Sequence, residues 1–225
     1  MKISAGDALL DEFLEGGYEK DIINTIYGPA GAGKTLLCVL ALIKVVEEGK
    51  KVIYIDTEGG FSIERFKQVC PNFLNVLEKV LFLKPVSFEE QKDSFDKLRK
   101  LVNDKIGLIV VDTISMLYRL EIGKNKEVYD INRELGQQLS YLSEIARTKN
   151  IPIIVANQVY SDFDNKDSIK IVGGDLLKYS SKCMIEIKTS HNGIRNAILR
   201  KHRSIREEKE INFKIVDKGI SSINC

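Results

Sequence analysis

The stretch from Gly28 to Thr35 constrains the fold more than any other part of the chain. It reads GPAGAGKT, that is Gly28, Pro29, Ala30, Gly31, Ala32, Gly33, Lys34 and Thr35. A short β-like run precedes it at residues 22–27, and a helical pattern opens at Leu36. This order of strand, glycine-rich loop and helix is the context that a phosphate-binding loop requires. A glycine-rich turn that fits the pattern by chance is the alternative.

Each part of this loop has a physical task. Glycines let several backbone N–H groups turn towards one anion, and the start of the helix adds the positive end of its dipole. Lys34 is predicted to reach the β- and γ-phosphates, and the Thr35 hydroxyl to coordinate Mg²⁺. The sequence therefore predicts that all eight loop residues bind a nucleoside triphosphate and that Thr35 also binds Mg²⁺.

Polar residues follow three apolar runs, as expected at the carboxyl ends of strands in a parallel sheet. The run at 51–56 leads to Glu58, the run at 106–112 ends in Asp112, and the run at 151–156 leads to Gln158. We predict that Glu58 orients or deprotonates the attacking water, that Asp112 helps to hold Mg²⁺, and that Gln158 senses the γ-phosphate. The simpler interpretations are that Glu58 is a solvated loop residue, that an apolar run ends in Asp112 by chance, and that Gln158 is an ordinary polar residue at a strand end.

The remaining pattern predicts an α/β protein. Helices are expected at 7–14, 36–48, 87–104 and from 127 to about 145, with further strands at 22–27 and 80–83. Short strands around 183–187, 197–199 and 211–215 predict a C-terminal antiparallel extension, with a turn at 191–193. Residues 113–125 and 160–175 read as irregular loops. The prediction is one domain over residues 1–225, built on a largely parallel sheet flanked by helices.

Composition sets broad limits. The chain has 34 Lys and Arg against 32 Asp and Glu, so a net charge of +2 says little about nucleic acid. Its four cysteines are widely spaced and predict neither a zinc site nor a disulfide framework, which favours a reducing compartment. No signal-peptide pattern or membrane-spanning apolar run is found, so a cytoplasmic protein without a membrane partner is expected.

Basic residues concentrate in one segment near the C-terminus. The segment 200–206 contains Arg200, Lys201, Arg203 and Arg206, and Arg119 lies in the loop predicted after Asp112. We predict that these five residues contact DNA phosphates. A solvated charge run, or a basic finger that reaches the nucleotide of a neighbouring copy, would also explain the segment.

The joint pattern resembles the RecA/RadA recombinase family over nearly the whole chain. Residues 3–11 are similar to its entry segment, residues 55–61 with Glu64 and Arg65 to its catalytic-glutamate strand, and the run ending at Asp112 to its Walker B strand. Residues 157–159 resemble its γ-phosphate sensor, and Gly173-Gly174 resemble the end of its second DNA-binding loop. The resemblance implies a RecA-like P-loop NTPase core that binds ATP, Mg²⁺ and DNA.

Departures from the family pattern refine this expectation. The chain starts almost at the ATPase core, without the family's N-terminal helical DNA-binding domain or its polymerisation motif, and the two DNA loops look short. It is therefore similar to a short archaeal paralogue group, which implies weak ATP hydrolysis and an accessory role in recombination and repair beside the main recombinase. A filament-forming strand-exchange recombinase and a KaiC-like signalling ATPase without a DNA role stay open as alternatives. Assembly into a homo-oligomer also stays open.

Overall fold

The computed structural model describes residues 1–123, 128–161 and 169–223. The strands are β1 Lys2–Ile3, β2 Tyr18–Glu19, β3 Ile23–Gly28, β4 Lys51–Asp56, β5 Val80–Leu83, β6 Ile106–Asp112, β7 Ile153–Ser161, β8 Ile169–Ile171, β9 Ser181–Thr189, β10 Ile194–His202, β11 Glu210–Val216 and β12 Gly219–Ser222. The helices are α1 Ala8–Phe13, α2 Lys34–Glu47, α3 Ile63–Val69, α4 Phe73–Leu77, α5 Phe88–Leu101, α6 Met116–Ile122, α7 Val128–Lys149 and α8 Gly174–Ser180.

One large sheet runs through the described residues. Its order is β5-β4-β6-β7-β3-β9-β10-β11-β12, with β8 paired to β7. The first six of these strands are mutually parallel, and β10 to β12 continue the sheet in antiparallel fashion. The predicted parallel sheet with a C-terminal antiparallel extension is confirmed.

The sheet lies between two apolar layers, because its central strands are apolar on both faces. Helix α2 packs on one face, where Val52, Tyr54 and Val110 join its core. Helices α5 and α7 cover the other face, where they form a core with Ile53, Ile55 and Ile109 of the sheet. No helix in the described ranges is long and apolar enough to span a membrane.

Two segments that were predicted to be irregular contain regular structure. The segment after Asp112 forms helix α6, which the sequence hides because seven residues are too short to show a clear period. Tertiary packing stabilises it: Leu117 and Tyr118 are buried, and the Tyr118 ring centre lies 6.3 Å from that of Phe88.

The second segment, 160–175, is also partly regular. Strand β7 continues to Ser161, β8 pairs with it, and α8 begins at Gly174. The prediction of an irregular loop is therefore wrong for the described part of this segment. Antiparallel pairing between β7 and β8 satisfies backbone N–H and C=O groups, and the polar composition of the segment gives no sign of this pairing. Residues 124–127 and 162–168, which belong to the two predicted loops, lie outside the described residues.

Candidate functional site

The loop from Gly28 to Thr35 joins the carboxyl end of β3 to the amino end of α2, as predicted. Gly33 caps the helix with φ 100°, a left-handed conformation that favours glycine. A Cβ there would also lie 2.8 Å from Ile215 Cδ1, so the antiparallel extension packs closely under the loop. A glycine-rich loop that leads into the N-terminus of a 14-residue helix is the arrangement in which backbone N–H groups and the positive end of the helix dipole bind an anion.

Lys34 is buried at the start of α2. Its ammonium group donates to the carbonyl oxygens of Gly28 at 2.9 Å and Pro29 at 2.8 Å. Burial lowers the pKa of Lys34, while the nearby charges of Asp112 and Glu58 raise it. A phosphate group would supply a better partner for this cation than two carbonyls do, because charge-assisted hydrogen bonds are the stronger ones.

Asp112 lies directly beside the loop at the end of β6. Its Oδ2 accepts a hydrogen bond from Thr35 Oγ1 at 2.7 Å and another from Tyr54 Oη at 2.8 Å. Burial raises the pKa of Asp112, and the hydrogen bonds from the two hydroxyls oppose that shift. The two residues predicted to hold Mg²⁺ are thus brought into contact.

Glu58 and Gln158 also meet, although they are a hundred residues apart in the chain. Glu58 Oε1 accepts from Gln158 Nε2 at 2.8 Å and from Thr113 Oγ1 at 2.8 Å. Parallel pairing between β3 and β7 ends at Gly28 opposite Gln158, which places the amide at the level of the phosphate loop. The loop, the acid and the amide therefore share one edge of the sheet.

Two further residues shape this edge and were not found from the sequence. Asp56 is buried, and its carboxylate accepts the backbone N–H groups of Glu58, Gly60 and Phe61 at 3.1 to 3.3 Å. Thr113 bonds Glu58 as described above. Asp56 had a local sequence signal, because it ends an apolar run and the glycine pair 59–60 begins three residues later, whereas nothing local indicated Thr113.

The residues enclose a cleft of about 300 Å³, whose lining includes Lys34, Thr35, Glu58, Asp112, Gln158 and Arg65. The oxygen donors of Thr35 and Asp112 suit Mg²⁺, a hard cation that binds through few protein oxygens, phosphates and water. The described residues contain no cluster of three or more His, Cys, Asp or Glu that could hold a metal ion. The site fits a nucleoside triphosphate with Mg²⁺.

The predicted DNA-binding residues do not form one cluster. Arg119 is exposed on α6, which follows the carboxyl end of β6. The segment 200–206 begins at the other end of the sheet. His202 pairs with Cys183 on β9, and Cys183 in turn pairs with Asn24 at the start of β3. That level is four residues from Gly28, roughly 13 Å along the strand.

Two of the predicted DNA-binding arginines are engaged by carboxylates. Arg200 pairs with Glu186 and Glu208, and Arg203 pairs with Glu19 and Asp21. Lys201 donates to the Lys178 carbonyl oxygen at 2.6 Å. Arg206 is exposed and makes no ion pair within the described residues.

The parallel sheet, the glycine-rich loop and the polar residues at the strand ends define a P-loop nucleotide-binding protein with a RecA-like core. The sequence model of the Rad51 family matches residues 1–223. The chain belongs to the Rad51 family. This confirms the predicted resemblance to the RecA/RadA recombinases.

Several relatives match over nearly their whole length. The DNA repair and recombination protein RadB of Methanococcus maripaludis strain C5 is 44% identical over 218 residues, which cover 96% of this chain and 98% of that protein. The RadB protein of Methanocaldococcus jannaschii is 43% identical, with coverage of 96% and 100%. A crystal structure of the RadB recombinase superposes with a TM-score of 0.84 at 34% identity, covering 99% of this chain and all of that one.

Proposed function

We propose that this chain is an ATP- and DNA-binding accessory protein of homologous recombination and DNA repair, similar to RadB. The observation that carries the proposal is the pair of contacts at one edge of the sheet, Thr35 with Asp112 and Glu58 with Gln158. These contacts surround a phosphate-binding loop in a member of the Rad51 family. The names of the relatives support the role in recombination and repair.

In this proposal the cleft holds ATP. The loop N–H groups and Lys34 bind the phosphates, and Thr35 with Asp112 hold Mg²⁺, which offsets phosphate charge when it is bound. Arg65 and Phe66 also line the cleft and are the proposed boundary of the space for the base and sugar. Each of the eight residues from Gly28 to Thr35 contributes to this one binding site.

Glu58 and Gln158 link the nucleotide to the rest of the molecule. Thr113 and Gln158 both donate hydrogen bonds to Oε1 of Glu58 and so fix the orientation of its carboxylate. Glu58 orients an attacking water only while these two hydrogen bonds are in place. Gln158 lies on β7, which pairs with β8, and β8 precedes helix α8. Loss of the γ-phosphate therefore has a direct route to the second predicted DNA loop. This arrangement supports slow hydrolysis in which ATP acts as a switch.

DNA is the proposed macromolecular ligand. Arg119, Lys201 and Arg206 are the predicted contacts that make no ion pair in the described residues, and phosphate binding by them implies strong salt dependence. The main recombinase is the proposed protein partner, with self-association as a further proposal. The site of action is the cytoplasm, where its DNA substrate would lie.

The test is ATP hydrolysis with single-stranded DNA titrated in, alongside direct DNA binding. Glu58→Gln is compared with Glu64→Gln, an exposed glutamate that pairs with Lys67 on α3. We expect DNA binding with slow, weakly stimulated hydrolysis that falls about 100-fold or more in Glu58→Gln and is unchanged in Glu64→Gln.

Other outcomes would contradict the proposal in different ways. Robust DNA-stimulated hydrolysis with filaments on single-stranded DNA would indicate a strand-exchange recombinase. Hydrolysis without any DNA binding, combined with a ring in solution, would indicate a KaiC-like signalling ATPase. Equal loss in both glutamine variants would show that Glu58 has no special role.

A further inference from the structure

The Asp112 carboxylate has a hydrogen-bond partner that lies outside the phosphate loop. Tyr54 on β4 pairs across the sheet with Val110, and Asp56 pairs with Asp112. Side chains alternate along a strand, so Tyr54 stands two residues below Asp112 on the same face. That face is the one covered by α2, and the Tyr54 hydroxyl reaches Asp112 Oδ2 at 2.8 Å.

Packing does not require this hydroxyl. Tyr54 is 0% exposed, and its ring packs against Phe61 and Phe82, with ring centres 5.4 and 5.5 Å away. A phenylalanine would fill the same space, whereas a buried hydroxyl costs free energy unless it is hydrogen-bonded. The contribution of the Tyr54 hydroxyl therefore lies in its contact with Asp112.

That contact makes the two oxygens of Asp112 different. Oδ2 accepts both hydroxyls, from Thr35 and from Tyr54, while no hydrogen bond to Oδ1 is found in the described part of the chain. The terminal torsion of an aspartate is soft, so one donor alone leaves the carboxylate free to turn. A second donor on a buried strand removes much of that freedom.

We propose that Tyr54 is a positioning residue that fixes the Asp112 carboxylate, with Oδ2 held by the protein and Oδ1 left for the hydrated divalent cation that accompanies a nucleoside triphosphate. The proposal rests on the function proposed above. Thr35 belongs to the loop that contacts phosphate and is itself a predicted metal ligand. Tyr54 is the donor to Asp112 that does not touch the ligand.

The test compares Tyr54→Phe with Tyr18→Phe. Tyr18 is a matched control because it is also buried, at 1% exposed, and its hydroxyl has no hydrogen-bond partner among the described residues. ATP affinity is measured by calorimetry with Mg²⁺ and again with EDTA. Binding of Mn²⁺ in the presence of ATP is followed by electron paramagnetic resonance.

We expect Tyr54→Phe to bind ATP about tenfold more weakly when Mg²⁺ is present, the loss that one hydrogen bond to a charged group supplies. The ATP affinity of Tyr54→Phe in EDTA stays within about twofold of wild type. The reason is that the Tyr54 hydroxyl contacts Asp112, the predicted metal ligand, and does not contact ATP. Mn²⁺ affinity falls together with the Mg²⁺-dependent ATP affinity. Tyr18→Phe behaves like wild type in every measurement.

Two results would overturn the role of Tyr54 alone: wild-type affinity of Tyr54→Phe with Mg²⁺, or an equal loss with and without the metal. An Asp112→Asn background gives a second check, because Tyr54→Phe should have no further effect on Mg²⁺-dependent binding there. Additive losses would place the effect of Tyr54 elsewhere. Failure of the wild-type protein to bind ATP under either condition would contradict the proposed function and the role of Tyr54 together.

Discussion

The two ends of the parallel sheet use charged and polar residues in different ways. At the carboxyl end, Thr35 bonds Asp112 and Gln158 bonds Glu58, around a cleft of about 300 Å³. At the amino end, Arg203 pairs with Glu19 and Asp21, just after β10, the first strand of the antiparallel extension. The first set surrounds space for a ligand, whereas the second neutralises charge within the protein.

This difference separates two kinds of charged residue that look alike in the sequence. Polar groups that converge on a cleft beside a phosphate loop can exchange their internal partners for a ligand. An arginine that pairs with a buried carboxylate, as Arg203 does with Glu19, instead supplies the counter-charge of that carboxylate, so its removal destabilises the fold. Arg206, which is exposed, is the better candidate for a DNA contact within the segment 200–206.

The largest expected effect at the amino end comes from Arg203→Ala. This change leaves buried Glu19 without its cation, so we expect a loss of about 2 kcal/mol in the free energy of unfolding. Arg206→Ala should stay within about 0.5 kcal/mol of wild type because its side chain is exposed. Urea unfolding of the two variants measures both values. Equal stabilities of the two variants would show that Arg203 contributes no more to folding than Arg206 does.

A smaller effect is expected from pH at the same end of the sheet. His202 is buried, and its Nδ1 accepts the N–H groups of Ser204 and Ile205. Burial lowers the pKa of His202. The charged groups around the ring are two acids and two bases, Glu15, Glu19, Lys2 and Arg203.

The sign follows from proton linkage. The unfolded chain binds the His202 proton more readily than the folded protein, so stability falls as pH drops through about 6.5 and levels off below the folded pKa. Urea unfolding between pH 7.5 and pH 5 should show this fall in wild type and in His191→Asn, the variant of the other histidine. It should be reduced in His202→Asn. Parallel pH curves for wild type and His202→Asn would exclude His202 as the cause.

Most of the sheet edge around the loop from Gly28 to Thr35 could be predicted because its sequence signals are local. A glycine-rich loop has a fixed spacing, and apolar runs that end in Asp112 or lead to Glu58 and Gln158 mark the carboxyl ends of parallel strands. Knowing that such ends share one edge is enough to bring these residues together. The family resemblance then assigns their roles.

Residues that act through distant partners could not be predicted in this way. Tyr54 lies inside an apolar run and looks like an ordinary core residue until its hydroxyl is seen to reach Asp112, 58 residues away. Arg203 looks like a free cation, yet its partner Asp21 lies 182 residues earlier in the chain. Both contacts depend on strand order, which no local pattern contains.

A crystal structure with Mg²⁺ and a non-hydrolysable ATP analogue would show whether the carboxyl end of the sheet is a nucleotide site. We expect the phosphates against the loop from Gly28 to Thr35, with Lys34 Nζ moved from the carbonyls of Gly28 and Pro29 to a phosphate oxygen. We also expect Mg²⁺ near Thr35 and Asp112. An analogue bound elsewhere, or a Lys34 that keeps its two carbonyl partners beside bound nucleotide, would show that this end of the sheet is not the nucleotide site.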